Sequence, residues 1–202
     1  MTHDSPLTIN MSKFLIIGLG NIGNEYANTR HNIGFDVVNA LVLKHGGSFK
    51  TDRLAYVAEI KIKGRQLVCI CPTTFMNVSG RAFKYWMDKV KVPLENTLTV
   101  MDDLALPLDK IRLRPSGTDA GHNGLKDIQN ILGTDKYPKL RFGIGNNYTK
   151  GLQAEFVLSK WLKSEEPAVQ LKIEKCVEII ECFVTAGIEQ AMTQYNNLSI
   201  KP

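Results

Sequence analysis

The sequence predicts an α/β protein: a single domain with a mixed, mostly parallel twisted sheet sandwiched by helices. Apolar segments of strand length alternate along the chain with segments of helical periodicity. Two of the strand-like segments, 54–62 and 66–71, are separated only by Lys63-Gly64-Arg65. That spacing signals a hairpin, so the sheet cannot be purely parallel. A chain of 202 residues with 44% hydrophobic content can bury one substantial core, and no repeat, low-complexity tract or linker divides it.

The strands expected are 13–18, 54–62, 66–71, 97–102, 110–114 and 139–145. In 66–71, Cys69 and Cys71 alternate with apolar residues and should point to one face of a buried strand. The first helix, 33–45, has apolar residues at 33, 37, 38, 41 and 42 and stops at Gly46-Gly47. Helix 81–90 places Ala82, Phe83, Trp86, Met87 and Val90 on one side, with Pro93 beyond its end. Helix 125–132 stops at Gly133. A long helix from about 166 to 190 should pack Leu171, Val177, Ile180, Val184 and Ile188 against the sheet. The first ten residues are polar without Lys or Arg, unlike a signal or transit peptide. Residues 1–12 are expected to be a flexible extension, with Met11 as an alternative start, and 13–202 to form the domain.

Composition narrows the partners. No segment approaches the roughly eighteen uninterrupted apolar residues of a membrane span. The net charge of +5 describes a mildly positive surface that by itself requires no partner. Nucleic acid becomes attractive if the basic side chains converge. The four cysteines include no C-x-x-C pair, and histidines 3, 31, 45 and 122 have no metal-ligand spacing. Reduced core cysteines, no metal and a cytoplasmic location are expected.

Gly18-Leu19-Gly20-Asn21-Ile22-Gly23 follows the apolar run Phe14-Leu15-Ile16-Ile17 and fits the G-x-G-x-x-G spacing of a dinucleotide-binding turn. Its surroundings do not. The next stretch, Asn24 to Asn32, has no helical apolar pattern to present N–H groups to a pyrophosphate. About twenty residues beyond the turn, where an acid should hold the ribose, stand Leu43, Lys44 and His45. What the turn delivers is an asparagine at a strand tip, then an arginine and a histidine at a helix start. Further polar residues fall at element ends: Asn77, Asp102, Asp103, His122 and Asn123. Such ends are where sites assemble in α/β sheets. Taken singly, Asn77 or Asn123 could cap a helix and Asp102 could satisfy turn amides.

Four blocks carry a resemblance. Gly18-Leu19-Gly20-Asn21, Thr29-Arg30-His31-Asn32, Thr73-Thr74-Phe75-Met76-Asn77-Val78-Ser79-Gly80 and Gly121-His122-Asn123-Gly124-Leu125-Lys126-Asp127 resemble, in order and spacing, the motif set of bacterial-type peptidyl-tRNA hydrolases. The similarity runs from Lys13 to about Gln190. Ile22 stands where that family usually has proline, Ala105 where it usually has aspartate, and the loop Pro115-Ser116-Gly117-Thr118-Asp119 has fewer glycines than usual.

The resemblance implies hydrolysis of the ester between a peptide and the terminal ribose of tRNA, by a monomer without cofactor. His31 would activate water, since imidazole is the side chain whose ordinary pKa lies nearest working pH. Asp102 would fix its tautomer. Asn21 matches the residue that distinguishes blocked from free aminoacyl ends. Tyr26, Phe75, Asn77 and Asn123 match contacts to the peptide or the 3′ end. Arg112 and Arg114, which alternate on a strand, would join Arg141 and Lys126 in a phosphate clamp. Several alternatives stay open: Tyr26 and Phe75 as ordinary packing, and Arg112 and Arg114 as a solvated basic strand. Ser79 has no G-x-S-x-G elbow and reads as a helix cap rather than a nucleophile. A nicotinamide-dependent oxidoreductase and a non-catalytic RNA-binding module are the rival functions.

Overall fold

The computed structural model describes residues 12–200. The extension expected over 1–12 therefore lies, except for Ser12, outside the described residues. In chain order the elements are β1 (Lys13–Gly18), α1 (Ile33–Lys44), β2 (Lys50–Asp52), β3 (Ala55–Ile62), β4 (Arg65–Pro72), α2 (Ser79–Val90), β5 (Thr97–Asp103), β6 (Ile111–Arg114), α3 (Asn123–Leu132), β7 (Lys139–Gly143), α4 (Gln153–Leu158), α5 (Glu166–Ala186) and α6 (Ile188–Tyr195). They build one seven-stranded sheet of order β2-β3-β4-β1-β5-β7-β6. The central strands β4, β1, β5 and β7 are parallel, and the β3–β4 hairpin, β2 and β6 pair antiparallel at the flanks.

Period-two alternation on the central strands feeds two cores. Phe14 and Ile16 of β1, with Cys69 and Cys71 of β4, pack under α1, α5 and α6. Leu15 and Ile17, with Val68 and Ile70, pack on the opposite side with Phe83 and Trp86 of α2 and Leu125 and Ile128 of α3. The strand β6 would leave an open edge, but Asn196 covers it. Its Nδ2 donates to the Leu113 carbonyl and its Oδ1 accepts from the Leu113 N–H.

Where the helix α1 meets the sheet, the first glycine of the motif finds its use. A Cβ on Gly34 would lie 2.5 Å from the carbonyl oxygens of both Leu19 and Val100, and one on Gly18 would strike the Gly34 carbonyl. The first turn of α1 thus sits directly on the tips of β1 and β5, which is possible only without side chains at these two positions.

The structure corrects several expectations. The long C-terminal helix is two helices, because Gly187 (φ 88°) turns the chain between α5 and α6. The expected Val177, Ile180 and Val184 are buried, joined by Val169, Ile173 and Cys176, but Leu171 is exposed because it falls on the opposite side of its turn. Cys182 is only half-buried. Leu54 is a turn residue with φ 61°, so the hairpin strand begins at Ala55. The strand β2 and the helix α4 were not anticipated as elements, being three and six residues long.

Replacing Gly34 with Ala tests the close approach. In an ordinary helix interior this change stabilises by about 1 kcal/mol. Here it should destabilise by about 1–3 kcal/mol through overpacking, read as a lowered midpoint in urea unfolding. A stabilised variant would disprove the close contact.

Candidate active site

The carboxyl ends of β1 and β5 and the start of α1 meet at a cavity of about 930 Å³ lined by Asn21, His31, Phe75, Asn77, Asp102, Asn123 and Arg141, among others. His31 belongs to a 3₁₀ turn, Arg30–Asn32, that leads into α1. Its Nδ1 lies 2.9 Å from Asp102 Oδ1, which also lies 3.0 Å from His122 Nε2. His122 Nδ1 accepts from the Leu125 N–H and so caps α3. With that nitrogen an acceptor, Nε2 must carry the proton donated to Asp102. Both nitrogens of His122 are therefore committed. His31 has only one committed, leaving its Nε2 without a partner among the described residues.

Asp102 is buried at the end of β5. Burial alone would raise its carboxyl, but the imidazoles of His122 and then His31 outweigh that and hold it well below the usual carboxylate range. One ligand atom from each of His31, Asp102 and His122 lies within 4.8 Å of the others, a metal-like grouping that spacing along the chain did not suggest. The two imidazole N–H groups already fill the space between them, so an ion there would have to displace both protons.

The amide of Asn21 is oriented by its oxygen. Met76 N–H donates to Asn21 Oδ1 at 2.8 Å, which settles which end of the amide is nitrogen. Asn32 holds the Asn21 backbone from both sides, donating to its carbonyl and accepting from its N–H, each at 2.9 Å. The Nδ2 of Asn21 has no partner among the described residues and is a donor at the cavity wall. Asn77 and Asn123 are exposed and line the same cavity. Neither caps a helix: His122 caps α3, and α2 has no side-chain cap of its own. Asp103 rather than Asp102 satisfies a turn amide, that of Ala105.

Ser79 is fully buried and donates to the Met76 carbonyl, so it is neither a cap of the usual kind nor a nucleophile. Asp127 of α3 accepts from Gly80 N–H at 2.7 Å and locks the starts of α2 and α3 together.

The basic residues divide. Arg141 lines the cavity, with Nε 2.5 Å from Asp103 Oδ2 in an ion pair. Arg112 is its cross-strand neighbour, and Arg114 faces Lys139 two pairs further on. Since Ile111 and Leu113 enter the core beneath α5 and α6, Arg112 and Arg114 project from the other face, the one that α2 and α3 cover. Lys126 is exposed on the first turn of α3, on that same side. Arg112, Arg114, Lys126 and Tyr26 do not line the cavity itself.

A sequence profile of the family described as peptidyl-tRNA hydrolase matches residues 15–202. The chain belongs to the peptidyl-tRNA hydrolase family. It is 50% identical over 185 residues to the peptidyl-tRNA hydrolase of Parabacteroides distasonis, covering 92% of this chain and 99% of that one. The Bacteroides fragilis enzyme is 49% identical over 184 residues, covering 91% and 98%. A crystal structure of the Acinetobacter baumannii peptidyl-tRNA hydrolase superposes with a TM-score of 0.88 at 34% identity, covering 95% of this chain and 98% of that one. Cleavage of peptidyl-tRNA with release of tRNA is the activity of this hydrolase family.

Two further contacts shape the peptidyl-tRNA hydrolase site. Phe75 is 56% exposed and meets Tyr26 edge to face at 6.5 Å, so the pair lies at the surface and not in the core. His122, noted from sequence as a polar residue at a helix start but given no role there, carries half of the grip on Asp102. Its only signal was its place at a helix start beside Asn123.

The ionisation of Asp102 can be followed through stability. A carboxyl held below its ordinary value of 3.8 contributes stability in full above that value. The contribution is lost as pH falls through the folded value. The unfolding free energy of the wild type relative to Asp102→Asn should therefore decline as pH is lowered from about 5 to about 3. A constant difference over that range would mean that the folded protein does not hold the carboxyl below its ordinary value.

Proposed function

We propose that this chain hydrolyses the ester of peptidyl-tRNA by direct attack of water, with His31 as general base. The observation that carries the reading is the allotment of the His31 nitrogens: Nδ1 is held 2.9 Å from Asp102 and Nε2 is left to the cavity. Asp102 would keep the tautomer and stabilise the imidazolium as water gives up its proton. His122 would hold Asp102 from the far side. Asn21 Nδ2, a donor whose oxygen is already turned to Met76, suits a carbonyl and opposes a free ammonium. That chemistry favours a blocked amino end, whose amide supplies a carbonyl, over an aminoacyl-tRNA with a free, charged amino group. Asn77 and Asn123 would bind the peptide backbone or the 3′ end, with Tyr26 and Phe75 as a surface for a base or an apolar side chain. Residues 13–202 would act as one catalytic domain, working as a monomer in the cytoplasm where peptidyl-tRNA is made.

Replacing His31 with Ala should lower turnover by about 10²–10⁴-fold with tRNA binding nearly intact. The assay is release of the blocked amino acid from N-acetyl-aminoacyl-tRNA, and near-normal turnover in the variant would remove His31 from the mechanism.

Arg112, Arg114, Arg141 and Lys126 are proposed to hold a phosphate of the acceptor end. They lie on one side of the sheet, and Arg141 links that side to the cavity. Charge-assisted phosphate contacts correspond to about tenfold or more in affinity. Arg114→Ala should raise KM for full tRNA substrates by about that factor, leave kcat little changed, and reduce the salt dependence of binding. A short 3′-end fragment should be hardly affected. Equal losses on fragment and full tRNA would assign Arg114 to the fold.

A further inference from the structure

The turn that carries His31 sends its first side chain away from the cavity, into the segment that roofs it. Arg30 is 3% exposed. Its Nη1 donates to Ser159 Oγ at 2.7 Å and to the Lys160 carbonyl at 2.6 Å, and its Nη2 donates to Glu165 Oε2 at 2.6 Å. The guanidinium also lies over the rings of Phe156 and Trp161, at 4.5 and 4.9 Å from their centroids. The backbone joins in: Arg30 N–H donates to the Ser159 carbonyl, and Thr29 bridges Lys160. Glu165 Oε2 accepts from Leu162 N–H as well, so the one carboxylate closes the 160–165 loop on itself and on Arg30.

Apart from Arg30, the roof is held by partly buried Phe156, Val157 and Trp161 packed against the core, with Trp161 beside Phe142 and Phe156 beside Tyr148. The helix α4 is six residues long, buries none of them fully and has no side-chain cap. A helix of that length has no stability of its own. Yet Ala154, Val157 and Leu158 form a wall of the cavity. Docking it leaves Arg30 Nε and Trp161 Nε1 buried without protein partners, so the dock is held with less margin than a fully satisfied network.

We propose that Arg30 is a positioning residue that fastens the α4 roof to the turn bearing His31, setting the width of the cavity over the peptide arm of the substrate. This rests on the ester-hydrolase reading above. A lysine in place of Arg30 keeps the charge but cannot reach Ser159, Lys160 and Glu165 at once or stack flat between two rings. Long peptides, which must pass under α4, depend on the roof; a single blocked amino acid does not reach it.

The test uses Arg30→Lys and Glu165→Gln in the full chain, with two substrates: N-acetyl-aminoacyl-tRNA and tRNA bearing a peptide of about ten residues. The expected result is a loss of about tenfold in kcat/KM on the long substrate, carried by KM. The short substrate should change by less than about threefold, and its pH–rate profile should keep its midpoint because Asp102 and His122 still hold His31. Amide hydrogens of 153–165 should exchange at least about tenfold faster while those of β1 and β5 do not change. Equal losses on both substrates, or unchanged exchange in 153–165, would overturn the proposal. If the wild type cleaved neither substrate, the hydrolase reading would fail alone, because the exchange measurement still decides whether Arg30 holds the roof.

Discussion

Three consecutive side chains of one 3₁₀ turn reach in three directions, and the site is built on that divergence. Arg30 runs to the segment after α4, His31 to Asp102 at the end of β5, and Asn32 to the backbone of Asn21 at the tip of β1. The turn can do this only because α1 is pressed onto the sheet at Gly18 and Gly34, with no Cβ between them. Close-packed interiors transmit such a constraint without slack. An imidazole, the carboxylate that holds it and an amide donor are therefore fixed relative to one another by packing, which is the arrangement the proposed catalysis needs.

A common pattern governs the polar groups. The two that face the cavity with a free atom are tied at one end and open at the other. His31 is held through Nδ1 and open at Nε2; Asn21 is held through Oδ1 and open at Nδ2. His122 is held at both nitrogens and has nothing left to offer a substrate, which marks it as support. The allotment makes the cavity chemically directional, with a proton acceptor on one side and a donor on another. It also separates groups that the motif blocks list side by side in sequence: Asn123 faces the cavity while its neighbour His122 faces Asp102.

The end of β5 serves both faces of the sheet. Asp102 turns toward the start of α1, where it meets the histidines, and Met101 toward the layer of α2 and α3. Asp103 pairs with Arg141, whose cross-strand neighbour is Arg112. One strand end thereby joins the histidine–aspartate cluster to the basic edge of the sheet.

Local pattern made much of this legible. The α/β alternation, the hairpin, the strands β1, β4, β5 and β7 and the helices α1 to α3 follow from periodicity and from glycine and proline punctuation, all properties of neighbouring residues. His31, Asp102, Asn21, Asn77 and Asn123 stood out because polar residues at strand and helix ends have few structural duties. The elements β2 and α4 were too short to show a period, and the break at Gly187 could not be told from a glycine tolerated within a helix. The hydrogen-bond roles lay beyond local reading. His31 and Asp102 are 71 positions apart, and Arg30 and Ser159 are 129 apart. No residue type announces such a partner, since packing of the whole chain alone brings the two together. Sequence by itself thus determined which elements form and which residues have chemistry to spare. The tertiary structure decided which histidine keeps a free nitrogen, which face Arg112 and Arg114 take, and what holds the roof, because each of these depends on the distance between groups that the chain itself keeps far apart.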